Sequence, residues 1–129
     1  MEKSFSITNK TKNKLPKIPF ETIKKATLGS KYNLSLVIAD EAHLKKLNTI
    51  YRDKEFATDI LSFPLSESEG EIYICLEEAK KEAVKFDRSY EDFLAFLFIH
   101  GCVHLKGYDH GSTMEAIEVE LRKKFCVCL

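Results

Sequence analysis

No stretch of this chain approaches the roughly 18 consecutive apolar residues that a membrane-spanning helix requires, so a membrane anchor is not expected. The opening Met1-Glu2-Lys3-Ser4-Phe5 lacks the apolar core of a secretory signal, and the cytoplasm is the expected compartment. The four cysteines, Cys75, Cys102, Cys126 and Cys128, lack the spacing of a disulfide framework and fit reduced cytosolic thiols. Cys126 and Cys128 form a Cys-x-Cys pair whose role, metal binding or none, the sequence leaves open. No repeat, low-complexity tract or Pro/Gly/Ser-rich linker divides the chain. Net charge is zero, so bulk charge argues neither for nor against a nucleic-acid partner.

What is present is ordinary for a globular protein: 129 residues, 44% hydrophobic and 31% charged. The expectation is one domain over residues 1–129, burying roughly two thirds of the surface of the unfolded chain without a disulfide staple. The charge is unevenly spread. Residues 1–54 hold 12 Lys and Arg against 5 Asp and Glu, a balance of +7, while residues 55–129 hold 8 against 15, a balance of −7. A cationic wall beside a site is one reading, and mutual attraction of two halves is the other.

Phe5–Asn9 alternates like a short strand, and Pro16 and Pro19 prepare a helix over Phe20–Leu28 that Gly29 ends. Leu34–Ile38 is an apolar, β-branched run suited to a central strand. Asp40 is placed to cap a helix reaching Arg52, with Ala42, Leu44, Leu47 and Ile50 as a loose apolar stripe. A strand over Ile60–Phe63 closes at Pro64, Gly70 opens a second over Ile72–Cys75, and the polar residues between them suggest a hairpin. Three helices follow: Leu76–Phe86, one opened by Ser89 and Asp92, and one over Thr113–Phe125 behind the capping pair Ser112 and Glu115. The expected fold is α/β, in an α+β layered form, with one small mixed sheet of about four strands packed by about five helices.

The chemistry concentrates at one place. Phe93-Leu94-Ala95-Phe96-Leu97-Phe98-Ile99 is apolar on every face and predicts a buried helix. It runs into His100-Gly101-Cys102-Val103-His104-Leu105-Lys106-Gly107-Tyr108-Asp109-His110. His100 and His104 are one helical turn apart on one face, about 5–6 Å between Cβ atoms, which lets both imidazoles reach one ion. Gly107 is placed to stop the helix in a left-handed conformation, with Tyr108 packing on Val103, so that His110 swings back toward the pair. Three imidazoles buried without an ion would leave polar nitrogens in want of partners. Three neutral nitrogens suit zinc, and three protein ligands with an open fourth position mark a catalytic ion that acidifies bound water. A two-His-one-carboxylate iron site using Asp109 is the rival. His43, beside Lys45 and Lys46, reads as a surface residue. Zinc peptidases of the H-E-x-x-H type carry a general-base Glu after the first histidine; here that slot is Gly101, which disfavours peptide hydrolysis and suits a phosphodiester better.

His100-Gly101, His104-Leu105 and Gly107-Tyr108-Asp109-His110 together resemble the H-G-x-x-H-L-x-G-Y-D-H motif of the YbeY endoribonucleases, or rRNA maturation factors. Leu47-Asn48, Tyr51-Arg52 and Thr58-Asp59-Ile60-Leu61-Ser62-Phe63-Pro64 resemble that family's second motif, and Gly70-Glu71-Ile72 stands where it has G-D-I. Val103 for the common Leu, Glu71 for Asp and a short segment after His110 are the departures, and the last bears on how the site's rim is built. The resemblance implies an α/β fold, a cytoplasmic, metal-dependent endoribonuclease specific for single-stranded RNA, and a role in maturing the 3′ end of small-subunit rRNA and in ribosome quality control. It implies small-subunit ribosomal components as partners. It also gives Arg52 a catalytic place beside the metal, where a guanidinium would fork onto two phosphate oxygens; as a residue alone, Arg52 equally suits capping the end of its helix. Asp59 is either a turn residue or a partner to a ligating histidine. Two other readings stand beside the nuclease: an RNA-binding ribosome-assembly factor with a structural metal, and a metallohydrolase acting on another phosphoester.

Overall fold

The computed structural model describes residues 4–52, 58–107 and 112–124. Its elements follow the expected order: β1 (Phe5–Asn9), α1 (Phe20–Leu28), β2 (Asn33–Ile38), α2 (Glu41–Arg52), β3 (Ile60–Ser66), β4 (Glu69–Ile74), α3 (Leu76–Lys85), α4 (Tyr90–Leu105) and α5 (Ser112–Lys124). The four strands form one mixed sheet in the order β1-β2-β4-β3. β1, β2 and β4 run parallel, and β3 pairs antiparallel with β4. The expected α/β layered fold, with one four-stranded sheet and five helices, is what the described residues adopt.

Local chemistry sets the boundaries. The Asp40 carboxylate accepts from the His43 N–H at 2.8 Å, holding the first turn of α2. Ser89 accepts from the Asp92 N–H at 3.2 Å and opens α4. Gly29 closes α1 at φ +88, and its N–H donates to the Lys25 carbonyl.

Three expectations are corrected. β3 does not stop at Pro64 but runs through it to Ser66, because β3 is an edge strand where a missing N–H breaks no ladder, and the register shifts there. Gly70 lies inside β4 rather than opening it, buried against Tyr32 and Leu105. Of the apolar stripe expected along α2, Leu44 is fully buried and Leu47 half-buried, Ala42 and Ile50 face solvent, and the polar Asn48 is buried beside them.

The pleat divides the core. Leu34, Leu36, Ile38, Ile72 and Ile74 point to one face and meet α4 in the large cluster. Leu61, Phe63, Tyr73 and Cys75 point to the other and pack with Leu44 and Leu47 of α2. Cys75 and Cys102 are free and buried, and burial pushes both thiols up, so they pack as small apolar groups. Cys126 and Cys128 lie outside the described residues. Lys24, one of the excess cations of the first half, is fully buried, donating to Ser4 Oγ at 2.9 Å, so not all of that charge faces solvent.

Gly101 sets how closely α4 approaches the sheet. A Cβ there would stand 3.0 Å from Ile60 Cδ1, 3.1 Å from Ile72 Cδ1 and 3.1 Å from Ser62 Oγ. Glycine thus has a packing reason to occupy this slot, and a glutamate would have to bury its charge between two isoleucines. Gly101→Ala should cost about 1 kcal/mol net, overpacking outweighing the helix-propensity gain. Gly101→Glu should cost more than about 3 kcal/mol. Urea denaturation checks both, and an Ala variant more stable than the parent would refute the close approach.

Candidate metal centre

α4 is buried on almost every side, as its apolar sequence dictates: Phe93, Leu94, Ala95, Leu97, Phe98, Ile99, Gly101, Cys102, Val103 and Leu105 are all covered. The sheet, α1, α3 and α5 surround it. One row escapes. Asp92, Phe96, His100 and His104, each four residues from the last, are only half-buried. The helix has one open edge, and both helical histidines stand on it.

Their rings are nearly parallel, 6° apart, with centroids separated by 6.5 Å. Phe96 lies against His100 on the far side, at 6.1 Å between centroids. After His104 the helix stops as its glycine predicts: Gly107 has φ +106 and donates its N–H to the His104 carbonyl at 3.1 Å. Lys106 Nζ donates to the Thr27 carbonyl at 3.0 Å and ties this end to α1.

His100 is fixed by a residue the sequence did not single out. Glu118 of α5, only 6% exposed, is hydrogen-bonded to His100 Nδ1. A carboxylate only accepts, so Nδ1 carries the proton and the ring is set in the tautomer whose lone pair is on Nε2. A carboxylate behind an imidazole is the arrangement that orients metal-ligating histidines and raises their basicity. The signal was present but faint: Glu118 occupies the buried stripe of α5 beside Ile117 and Leu121, where a carboxylate needs a reason.

His100 and His104 are brought together as expected. His110, Tyr108 and Asp109 lie outside the described residues. Among the described residues no three His, Cys, Asp or Glu side chains form a metal-holding group. The parallel pair and the carboxylate behind one of them nonetheless suit a nitrogen-preferring divalent ion completed by one more ligand. Arg52 ends α2, which packs on the sheet face opposite α4, and its side chain lies outside the described residues. His43 is not a surface residue: it is half-buried and stacks on Tyr73 at 5.8 Å.

Asp59 lines a cavity with His100. Burial in apolar surroundings, then the Glu82 charge, hold its carboxyl above the ordinary value of 3.8, against the pull of donors at Ile60 and Thr58.

The sequence model of the family described as "Endoribonuclease YbeY" matches residues 1–127. Curated proteins of that name are similar to this chain. The one from Mesoplasma florum is 38% identical over 105 residues, 73% of this chain and 62% of the relative. The one from Agrobacterium fabrum is 42% identical over 96 residues, 67% and 57% of the two chains. The one from Nautilia profundicola is 41% identical, with 71% of each chain covered. The chain thus spans less than two thirds of the length of the first two. A Thermotoga maritima protein solved in solution shares the fold, at a TM-score of 0.68 and 23% identity over 94% of this chain and 88% of that one.

Two outcomes follow from this geometry. Were the histidine pair to hold zinc, Glu118→Ala should weaken its affinity by roughly 10- to 100-fold, with Glu118→Gln recovering part of it; competition against a chromophoric chelator measures this, and unchanged affinity would deny Glu118 its role. A carboxyl raised in the folded state binds its proton more tightly there than when unfolded. The contribution of Asp59 to stability is therefore present in acid and lost as pH climbs through its folded value. Asp59→Asn should accordingly gain in melting temperature, relative to the parent, as pH rises from about 3.8 to neutrality.

Proposed function

The chain belongs to the YbeY endoribonuclease family, and from that we propose that it is a zinc-dependent endoribonuclease that cuts single-stranded RNA, acting in the cytoplasm on the 3′ end of small-subunit rRNA and in ribosome quality control. The observation that carries the reading is the half-buried row of α4, where His100 and His104 stand parallel and Glu118 backs His100. His100, His104 and His110 would hold one zinc ion through imidazole nitrogens. When bound, the ion supplies a Lewis acid for a phosphoryl oxygen and lowers the pKa of water toward neutrality.

The protein's own residues do the rest. Glu118 keeps the His100 proton on Nδ1 and the ring in place. Gly101 puts no carboxylate beside the first histidine, so the general base of zinc peptidases is missing, and a substrate with a better leaving oxygen than an amide suits the site. Arg52 is the residue assigned to the scissile phosphate: its permanent charge would fork onto two oxygens and stabilise charge gathering on them, an effect typically worth about 3 kcal/mol. Single-stranded rRNA and small-subunit components are the assigned partners.

One observation favours a second reading. Because Glu118 joins α5 to His100 of α4, a bound ion would also brace the last two helices, as a structural metal in a ribosome-assembly factor does. Incubation of purified protein with single-stranded RNA separates the two. The nuclease reading expects cleavage that a chelator and His104→Ala each abolish and that Arg52→Ala reduces by roughly 100-fold. Cleavage surviving chelation and His104→Ala would overturn it. Intact RNA, together with a sharp fall in melting temperature on chelation, would favour the assembly factor.

A further inference from the structure

The open row of α4 continues past His100 into a cavity of about 350 Å³, walled by Asp59, Phe86, Arg88, Phe93 and Phe96. That volume falls in the range of small-ligand sites. We propose that this cavity receives an unpaired nucleobase of the RNA whose adjoining phosphate is cut at the histidine pair, an inference that rests on the nuclease reading above.

The walls are built for a flat ring. Phe86 and Phe93 stack at 14° and 5.9 Å, Phe93 meets Phe96 at 5.8 Å, and Phe96 meets His100 at 6.1 Å. Aromatic side chains connect Phe86 to His100 without a break. Phe86 at the mouth is 63% exposed, a large apolar ring left in water, which a stacked base would cover.

The polar groups choose a base over a phosphate. Asp59 offers a carboxylate, which accepts N–H donors and repels a phosphate. Arg88 lies over the Phe96 ring at 5.0 Å, and its Nη1 is buried with no hydrogen-bond partner among the described residues. A donor and an acceptor on one apolar cavity match the edge of a nucleobase, which carries both. An aliphatic side chain would satisfy neither.

Arg88 is also held in advance. α3 ends in a reversal in which Arg88 N–H donates to the Ala83 carbonyl at 2.9 Å and Asp87 N–H to the Val84 carbonyl at 3.2 Å. Asp87 takes the left-handed conformation, φ +53, that the reversal requires. The guanidinium therefore starts from a fixed backbone position, and little ordering remains to be done on binding.

The test uses the full protein and single-stranded RNA of roughly ten nucleotides, read by fluorescence anisotropy for binding and by single-turnover cleavage for rate. Phe86 is exposed, so Phe86→Ala should fold normally. It should weaken binding by roughly fivefold or more while Phe86→Trp keeps it. An abasic site moved along the RNA should reproduce that loss at one position in the parent and cost nothing further there in Phe86→Ala. Binding indifferent to Phe86 and to every abasic position overturns the proposal, whether or not the RNA is cut. Base-dependent binding without any cleavage upholds the pocket and strikes the catalytic reading instead.

Discussion

The burial of α4 is the constraint from which the rest of the molecule takes its shape. A 16-residue helix with apolar residues on nearly every face must be covered on nearly every face, and the sheet with α1, α3 and α5 does so, leaving one edge half-open. Covering it to packing density requires a close approach at one point, which Gly101 provides against Ile60, Ile72 and Ser62. The polar residues of such a helix have only the one edge left to them. The row Asp92, Phe96, His100, His104 is thus what remains once every apolar demand has been met. A site on that row rests on a helix buried along most of its length.

Much of this could be read from the chain because the relevant signals are local. Element order and type follow from apolar periodicity and from single residues with one job, such as Asp40 and Ser89 as caps and Gly29 and Gly107 as stops. The errors are of another kind. Pro64 closes a strand only if both edges of the strand must be paired, and whether β3 sits at the sheet edge is a tertiary fact. His43 looked like a surface residue among lysines, but α2 turns it onto Tyr73 from a different strand. The α2 stripe failed for a similar reason: the helix is pressed on the sheet mainly through Leu44 and Leu47, leaving Ile50 outside.

The site divides along the same line. The i, i+4 spacing of His100 and His104 carries their juxtaposition by itself, since helical geometry alone puts them on one face. Glu118 is invisible to that logic, standing 18 residues away on another helix. So are the cavity walls, which gather a turn after α3, the approach to β3 and one face of α4. In each case the physical cue is a residue out of keeping with its surroundings: a carboxylate in a buried stripe, a phenylalanine left in water.

Were an unpaired base to enter the proposed cavity, a preference for single strands would follow without any contact devoted to it. A base within a duplex is stacked on both faces and hydrogen-bonded along its edge, so entering a cavity beside the histidines would cost the unstacking and unpairing of a few kcal/mol. For an unpaired base little or none of that cost remains, and it would gain the aromatic wall of Phe86, Phe93 and Phe96. The discrimination would then reside in the state of the RNA, and the protein would need only to keep its cavity apolar, its donor and acceptor in place, and its histidine row open at the adjoining end.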